Sequence, residues 1–246
     1  MLKRIAYSIP ILLGVSILTF ATVKIVPGDP IAAVLGPNAT PQARAAMSRQ
    51  LGLDEPIPVQ YGKWLWRSVR GDFGTSIAKG QAVRSIVLSA FTNTLVLAAF
   101  AGLIAVVFGL ILGAAGVRRP DGIVARFSDA ASMLATSLPQ YSVALVLVVF
   151  AASRTGWFPV QGMHSIGSSG FLDLLRHVVL PAFTAALIPT GVIARMFRAA
   201  LSDELGKESV VSLRARGLSE RRCLRHAVHN TMPSLMTIAG LQIAYL

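Results

Sequence analysis

Charge is scarce in this chain, at 14% of 246 residues, and acidic charge especially so, with 11 Asp and Glu against 23 Lys and Arg. Cysteine is nearly absent. The single Cys223 excludes an intrachain disulfide, and with no second thiol or clustered histidines it makes a poor zinc ligand and reads as a structural bystander. Of the four histidines, His226 and His229 form one i, i+3 pair, with no carboxylate beside it at ligand-like spacing. His164, His177, His226 and His229 are therefore expected to be solvated or interfacial, and no metal site is expected. There is no G-x-x-x-x-G-K-[ST] loop to cradle nucleotide phosphates, no H-E-x-x-H and no G-x-S-x-G. The apolar runs contain no paired carboxylates and offer mainly Ser, Thr and Asn93 as polar groups, so catalysis by this chain is not expected.

What is abundant is apolar surface: 54% of residues are hydrophobic and the mean hydropathy is +0.63, more than a water-soluble core of this size can hide. Four stretches carry no Asp, Glu, Lys or Arg: Ile5 to Val23, Ser85 to Val117, Ala130 to Ser153 and Val178 to Ala194. Each reaches the roughly 17 to 25 residues that cross a hydrocarbon core. All are read as helices, because an unpaired strand edge in lipid leaves backbone groups unsatisfied. The expected fold is an all-α membrane protein, a polytopic bundle with four spans. The net charge of +12 falls in blocks between these runs, which suits snorkelling and anionic headgroups rather than a nucleic-acid-binding face.

Lys3 and Arg4 precede the first run, Arg118, Arg119 and Arg126 follow the second, and Arg195 and Arg198 follow the fourth. If every run crosses once, all three groups share one side, which by the charge rule is cytoplasmic, as is the N-terminus. The first run is longer than a signal-peptide core and lacks a clear small-x-small site before Val26-Pro27-Gly28-Asp29-Pro30, so it is read as a retained span. The opposite-side segment, about 27–90, holds turns and amphipathic pieces that suggest a small extracytoplasmic subdomain. Tyr61, Trp64, Trp66, Trp157 and Phe158 are expected in the headgroup layer. Pro10, Pro139, Pro181 and Pro189 are expected inside spans or at their rims, where proline is tolerated. Gly109 and Gly113 form a G-x-x-x-G pair that lets another helix approach.

After the fourth run, Arg195 to Asn230 is a polar stretch of 36 residues with Asp203, Glu204, Glu208 and Glu220 interleaved among its bases. Leu201, Leu205, Val210 and Leu213 keep a helical spacing before Gly217, and Leu218, Arg222 and Arg225 come after it. The pattern predicts two short helices joined by a turn at Gly217, a basic finger on the cytoplasmic side. An anionic lipid surface and a protein socket both suit such a finger. Mixed charge favours the socket, since lipid-binding helices confine their bases to one face.

Within this stretch, Lys207-Glu208-Ser209-Val210-Val211-Ser212-Leu213-Arg214-Ala215-Arg216-Gly217-Leu218 resembles the EAA coupling loop of binding-protein-dependent ABC permeases. Arg225-His226-Ala227-Val228-His229-Asn230-Thr231-Met232-Pro233 resembles the continuation of that motif in the dipeptide and oligopeptide branch. Pro27-Gly28-Asp29-Pro30, Leu51-Gly52-Leu53-Asp54-Glu55-Pro56, Gln60-Tyr61 with Trp64-Leu65, Gly71-Asp72-Phe73-Gly74-Thr75-Ser76 and Leu180-Pro181-Ala182 extend the resemblance along essentially the whole chain. A bulkier Leu213 stands where the motif has a small residue.

The resemblance implies a permease subunit of a peptide importer, working with ABC ATPase subunits that bind ATP, a second permease subunit and an extracytoplasmic peptide-binding protein, in the bacterial inner membrane. It implies that Glu208, Ser212, Arg214, Ala215, Arg216, Gly217 and Leu218 couple the chain to the ATPase, and that no cofactor is held by this chain. The expected organisation is a first span at 1–26, the extracytoplasmic subdomain at 27–90, spans two to four at 91–200, the coupling loop at 201–230 and the start of a further span at 231–246. The branch has six spans, so the last two are expected to be missing from this chain. A non-transporting membrane scaffold, a membrane-embedded hydrolase and a permease for nickel or another small solute are the competing readings.

Overall fold

The first apolar run forms helix α1 (Leu2–Ile25) with Pro10 inside it. The computed structural model describes residues 2–25, 28–36, 38–76, 79–117, 121–168 and 170–246. Arg118, Arg119 and the Val26-Pro27 part of the turn lie outside the described residues, as do the side chains of Lys3 and Arg4. The chain divides into two units, Met1–Phe91 and Thr92–Leu246.

In the first unit, α1 is followed by α2 (Pro30–Leu35), α3 (Pro41–Leu51) and α4 (Ile57–Val69). Each starts where side chains or proline supply what a helix end needs. The Asp29 carboxylate accepts from the backbone N–H of Ile31 and Ala32 at 2.9 and 3.2 Å, and Thr40 Oγ1 accepts from Ala43 N–H. The Ala32 N–H and the Arg44 guanidinium hold the Asp29 carboxyl below its ordinary range. Gly52 ends α3 in the left-handed region at φ 68°. Tyr61 and Trp64, expected at the headgroups, hold α4 along α1. Both rings pack on Phe20, at 5.5 and 5.9 Å between centroids, and the Tyr61 hydroxyl meets Ser16 Oγ at 2.8 Å. Trp66 stays on the surface, with the Arg70 guanidinium 4.2 Å from its ring centre.

The second apolar run becomes α5 (Val83–Ala115), 33 residues and about 50 Å long at ~1.5 Å per residue. The third run departs from the expected single span. It is split into α6 (Ile123–Ser137), α7 (Gln140–Leu147) and a π-helical turn (Val148–Arg154), with a bend of 99° between α6 and the Gln140–Arg154 helix. The cause is Pro139, whose ring disfavours helical geometry in the residue before it. Leu138 is accordingly extended at φ −78°, ψ 131°. By length and composition α1 from Ala6, α5 and α8 (Phe171–Gly206) can cross a membrane, and the bent pair makes a fourth crossing if it is one span. Pro181 and Pro189 remain inside a continuous α8.

Helix α8 carries the core of the second unit, burying Val178, Ala182, Ala186, Ile193, Ala194, Phe197 and Leu201 against α5, α6 and α10 (Glu220–Ala244). The expected close approach at the G-x-x-x-G pair is made by α8. A Cβ on Gly113 would lie 2.8 Å from the Ala194 carbonyl oxygen, and one on Gly109 would lie 2.7 Å from Ile193 Cγ2. Helices that pack in lipid gain from such small faces because dispersion rather than water release drives their contact.

Arg198 of α8 ties three helices together. Its Nη2 donates to the Leu112 carbonyl of α5 at 3.2 Å and to Ser128 Oγ of α6 at 2.7 Å, and its Nη1 pairs with Asp129. Replacing it by Leu leaves the buried Ser128 oxygen without its donor, while the Leu112 carbonyl keeps the Ser128 hydroxyl, at a cost of about 1–3 kcal/mol. Thermal unfolding of the detergent-solubilised complex should show Arg198→Leu well below wild type. Asp129→Asn should lie close to wild type, because that carboxylate is 60% exposed. Equal midpoints for Arg198→Leu and wild type would remove the clamp.

Candidate coupling finger

The finger differs in outline from two short helices around one turn. Helix α8 runs on to Gly206, so Leu201 and Leu205 belong to it, and the chain breaks at Lys207, which is extended at φ −68°, ψ 147°. A single short helix comes next, α9 (Glu208–Ala215). After Gly217 the chain enters α10, which continues for 25 residues through Pro233 to Ala244, so the second half of the finger and the apolar segment behind it are one rod. Gly206 before Lys207 was the available stop signal.

Gly217 takes φ +83°. The bonds around it are those of a Schellman end: Leu218 N–H donates to the Leu213 carbonyl at 3.2 Å and Gly217 N–H to the Arg214 carbonyl at 2.9 Å. The left-handed conformation needed there is the one glycine adopts without penalty.

The seven residues singled out by motif fall together on this tip. Glu208 lies in the first turn of α9, where a carboxylate suits the positive helix end. Glu208, Ser212, Arg214, Ala215, Arg216 and Gly217 are exposed, and Leu218 is half-buried. Arg214 is not free to reach outward. Its Nε and Nη2 grip the two Glu220 oxygens at 3.0 and 3.3 Å, and its Nη1 reaches the Leu205 carbonyl at 3.5 Å. It therefore clasps α9 to the ends of α10 and α8. Glu208, Ser212 and Arg216 are left to face outward.

The motif did not single out the residues at the base. Val210 is the one buried residue of α9, and Leu201, Cys223 and Ala227 are also buried. Glu204, 6% exposed, accepts from Asn230 Nδ2 at 2.8 Å and from Lys207 Nζ, joining α8 to the break and to α10. Glu204, Lys207, Arg214 and Glu220 thus act as struts within the finger. A cleft of about 640 Å³ opens beside them, walled by Val117, Ser202, Leu205, Arg214, Glu220 and Leu224. The arrangement is an exposed tip on a stiff base continuous with two long helices, which can transmit a push without chemistry of its own.

Comparisons with known proteins agree along the whole length. Residues 1–98 match the N-terminal family described as binding-protein-dependent transport system membrane component, and residues 105–246 match binding-protein-dependent transport system inner membrane component. The oligopeptide transport system permease protein AppB of Bacillus subtilis is 32% identical over 98% of this chain and 78% of its own length. The di/tripeptide transport system permease protein DppB of Pseudomonas aeruginosa is 32% identical over 99% of this chain and 79% of its own. The glutathione transport system permease protein GsiC of Salmonella paratyphi A is 33% identical over all of this chain and 78% of its own. Such proteins are transport components rather than enzymes. With the two family matches following one another along the chain and the relatives aligned over nearly all of it, this chain belongs to the binding-protein-dependent transport system inner membrane components.

Proposed function

We propose that this chain is a permease subunit of an ABC importer for peptides, and that its finger couples the membrane helices to ATPase subunits. The exposed tip around Gly217, clasped by Arg214 to two long helices, carries the reading. Relatives named for oligopeptides, di- and tripeptides and glutathione support the substrate class. The N-terminus and finger are cytoplasmic, with the exposed Arg126 and Arg195 on that side, and the 27–90 subdomain is extracytoplasmic.

A peptide-binding protein delivers its cargo to the outer face of this chain and a second permease subunit. ATP binding closes the ATPase pair, and the finger, seated in a cleft of one ATPase, moves with it. Because α8 and α10 meet the finger at its base, that movement shifts the helices that line the path. The ATPase drives the cycle only if it distinguishes inward from outward forms.

A tagged copy solubilised from membranes should bring down ATPase subunits and a second permease chain, with ATPase activity that rises on adding peptide-loaded binding protein. Recovery of the chain alone, or activity indifferent to the loaded binding protein, refutes the reading.

A further inference from the structure

His177, expected to be solvated or interfacial, is buried, with 3% of its side chain exposed. It lines a cavity of about 260 Å³ inside the Thr92–Leu246 unit, together with Val148, Val160, Gln161, Pro181 and Thr184. Of its polar side chains, His177 and Thr184 offer acceptors and the Gln161 carboxamide can donate or accept. Nδ1 of His177 lies 2.8 Å from the Asp173 carbonyl oxygen, which only accepts, so Nδ1 carries the proton. In the neutral ring Nε2 is then an acceptor, and no described residue bonds to it.

Pro181 stands four residues after His177 and has no N–H, so the His177 carbonyl has no helical partner. The Thr184 hydroxyl spends its proton on the Leu180 carbonyl at 2.9 Å and keeps only lone pairs for the cavity. The Asp173 carboxylate, 3.8 Å from His177 Nδ1, 3.3 Å from His164 Nδ1 and fixed by the Ser165 N–H and hydroxyl at 2.9 and 2.7 Å, places a negative charge behind the ring. The facing wall starts the π-helical turn, a geometry that recurs at functional sites because it is poorly stable in itself.

The acceptors that His177 and Thr184 present on one wall select a donor, and the Asp173 carboxylate behind the ring favours a cationic one. We propose that this cavity is a subsite for the protonated amino group of a peptide's first residue, a proposal that rests on the peptide reading above. The volume lies below the roughly 300–1,000 Å³ of sites for whole drug-sized ligands, as suits one small residue. The Nε2 and carbonyl oxygen of His177 accept from the ammonium, and Val148 and Val160 meet its aliphatic part.

The test uses the complete permease–ATPase complex bearing Val160→Cys, whose new thiol lies at an exposed position while the native Cys223 is fully buried. Maleimide labelling is timed with Ala-Ala or N-acetyl-Ala-Ala titrated in, without binding protein. Ala-Ala should slow labelling about threefold or more once it exceeds about twice its Kd, as mass action requires. The acetylated peptide should not, and His177→Phe should abolish the protection. Equal protection by both peptides, or none by Ala-Ala, overturns the subsite. If the wild-type complex still imports peptides in that case, the permease reading stands without it; if it imports none, both fall. The two-peptide comparison needs only Val160→Cys, so it holds even if His177→Phe fails to fold.

Discussion

Gly217→Val and Gly217→Asp should each cut ATP-driven uptake on the order of tenfold or more while the chain remains inserted in the membrane. A Cβ at this position meets nothing within 4 Å, so no clash is involved. The damage comes from two other sources. Valine, β-branched, is held at φ +83°, where an L side chain costs about 1–2 kcal/mol, and the Schellman bonds from Gly217 and Leu218 then loosen the tip. Aspartate tolerates that geometry better but places a carboxylate at the negative end of α9, on the surface proposed to enter the ATPase. Gly217→Asn is the control, since it accepts left-handed geometry without charge, and it should keep most uptake. Uptake into proteoliposomes, with insertion checked by protease protection, reads all three. Wild-type transport by Gly217→Asp would sink the coupling assignment.

Gly191→Val should strongly destabilise the second unit. A Cβ there would lie 2.6 Å from the Ser132 carbonyl oxygen and 2.7 Å from Thr136 Cγ2. The carbonyl belongs to the α6 backbone and cannot rotate away, so α6 and α8 must separate. Overpacking of this kind costs about 1–3 kcal/mol, and the second γ-methyl of valine puts the loss at the upper end. Gly14→Ala is the contrast, with nothing within 4 Å of the added carbon and a helical position where Ala is favoured by ~0.5–1 kcal/mol. Thermal unfolding in detergent should lower the midpoint of the first variant by several degrees and leave the second at or above wild type. Equal midpoints would mean that the α6–α8 approach is not tight.

The helices were legible in the sequence where lipid is the deciding solvent. Ser85 to Val117 became α5, Val83–Ala115, and Val178 to Ala194 lies within α8. The Ala130 to Ser153 run was apolar enough to read as one span, yet Pro139 turned it by 99°. Hydropathy reports whether a residue tolerates lipid, whereas a bend depends on two backbone angles at Leu138. Gly217 was legible as a turn because left-handed geometry is a property of the residue itself. The division of Arg214 from Glu208, Ser212 and Arg216 was not, because Arg214 is occupied by Glu220, and no sequence spacing says which of several nearby carboxylates a guanidinium will take.

By itself, then, the sequence determined that this is a helical membrane protein, where its long apolar helices lie, which segment forms the finger and which family it belongs to. These come from sums over neighbouring residues and from an ordered set of local motifs. The tertiary structure alone decided that α8 is the partner of Gly109 and Gly113, that Arg198 joins α5, α6 and α8, and that His177 is buried beside a carbonyl freed by Pro181. Each of those depends on atoms distant in the chain meeting within a few ångströms, and contact at that range is set by packing, which no local pattern encodes.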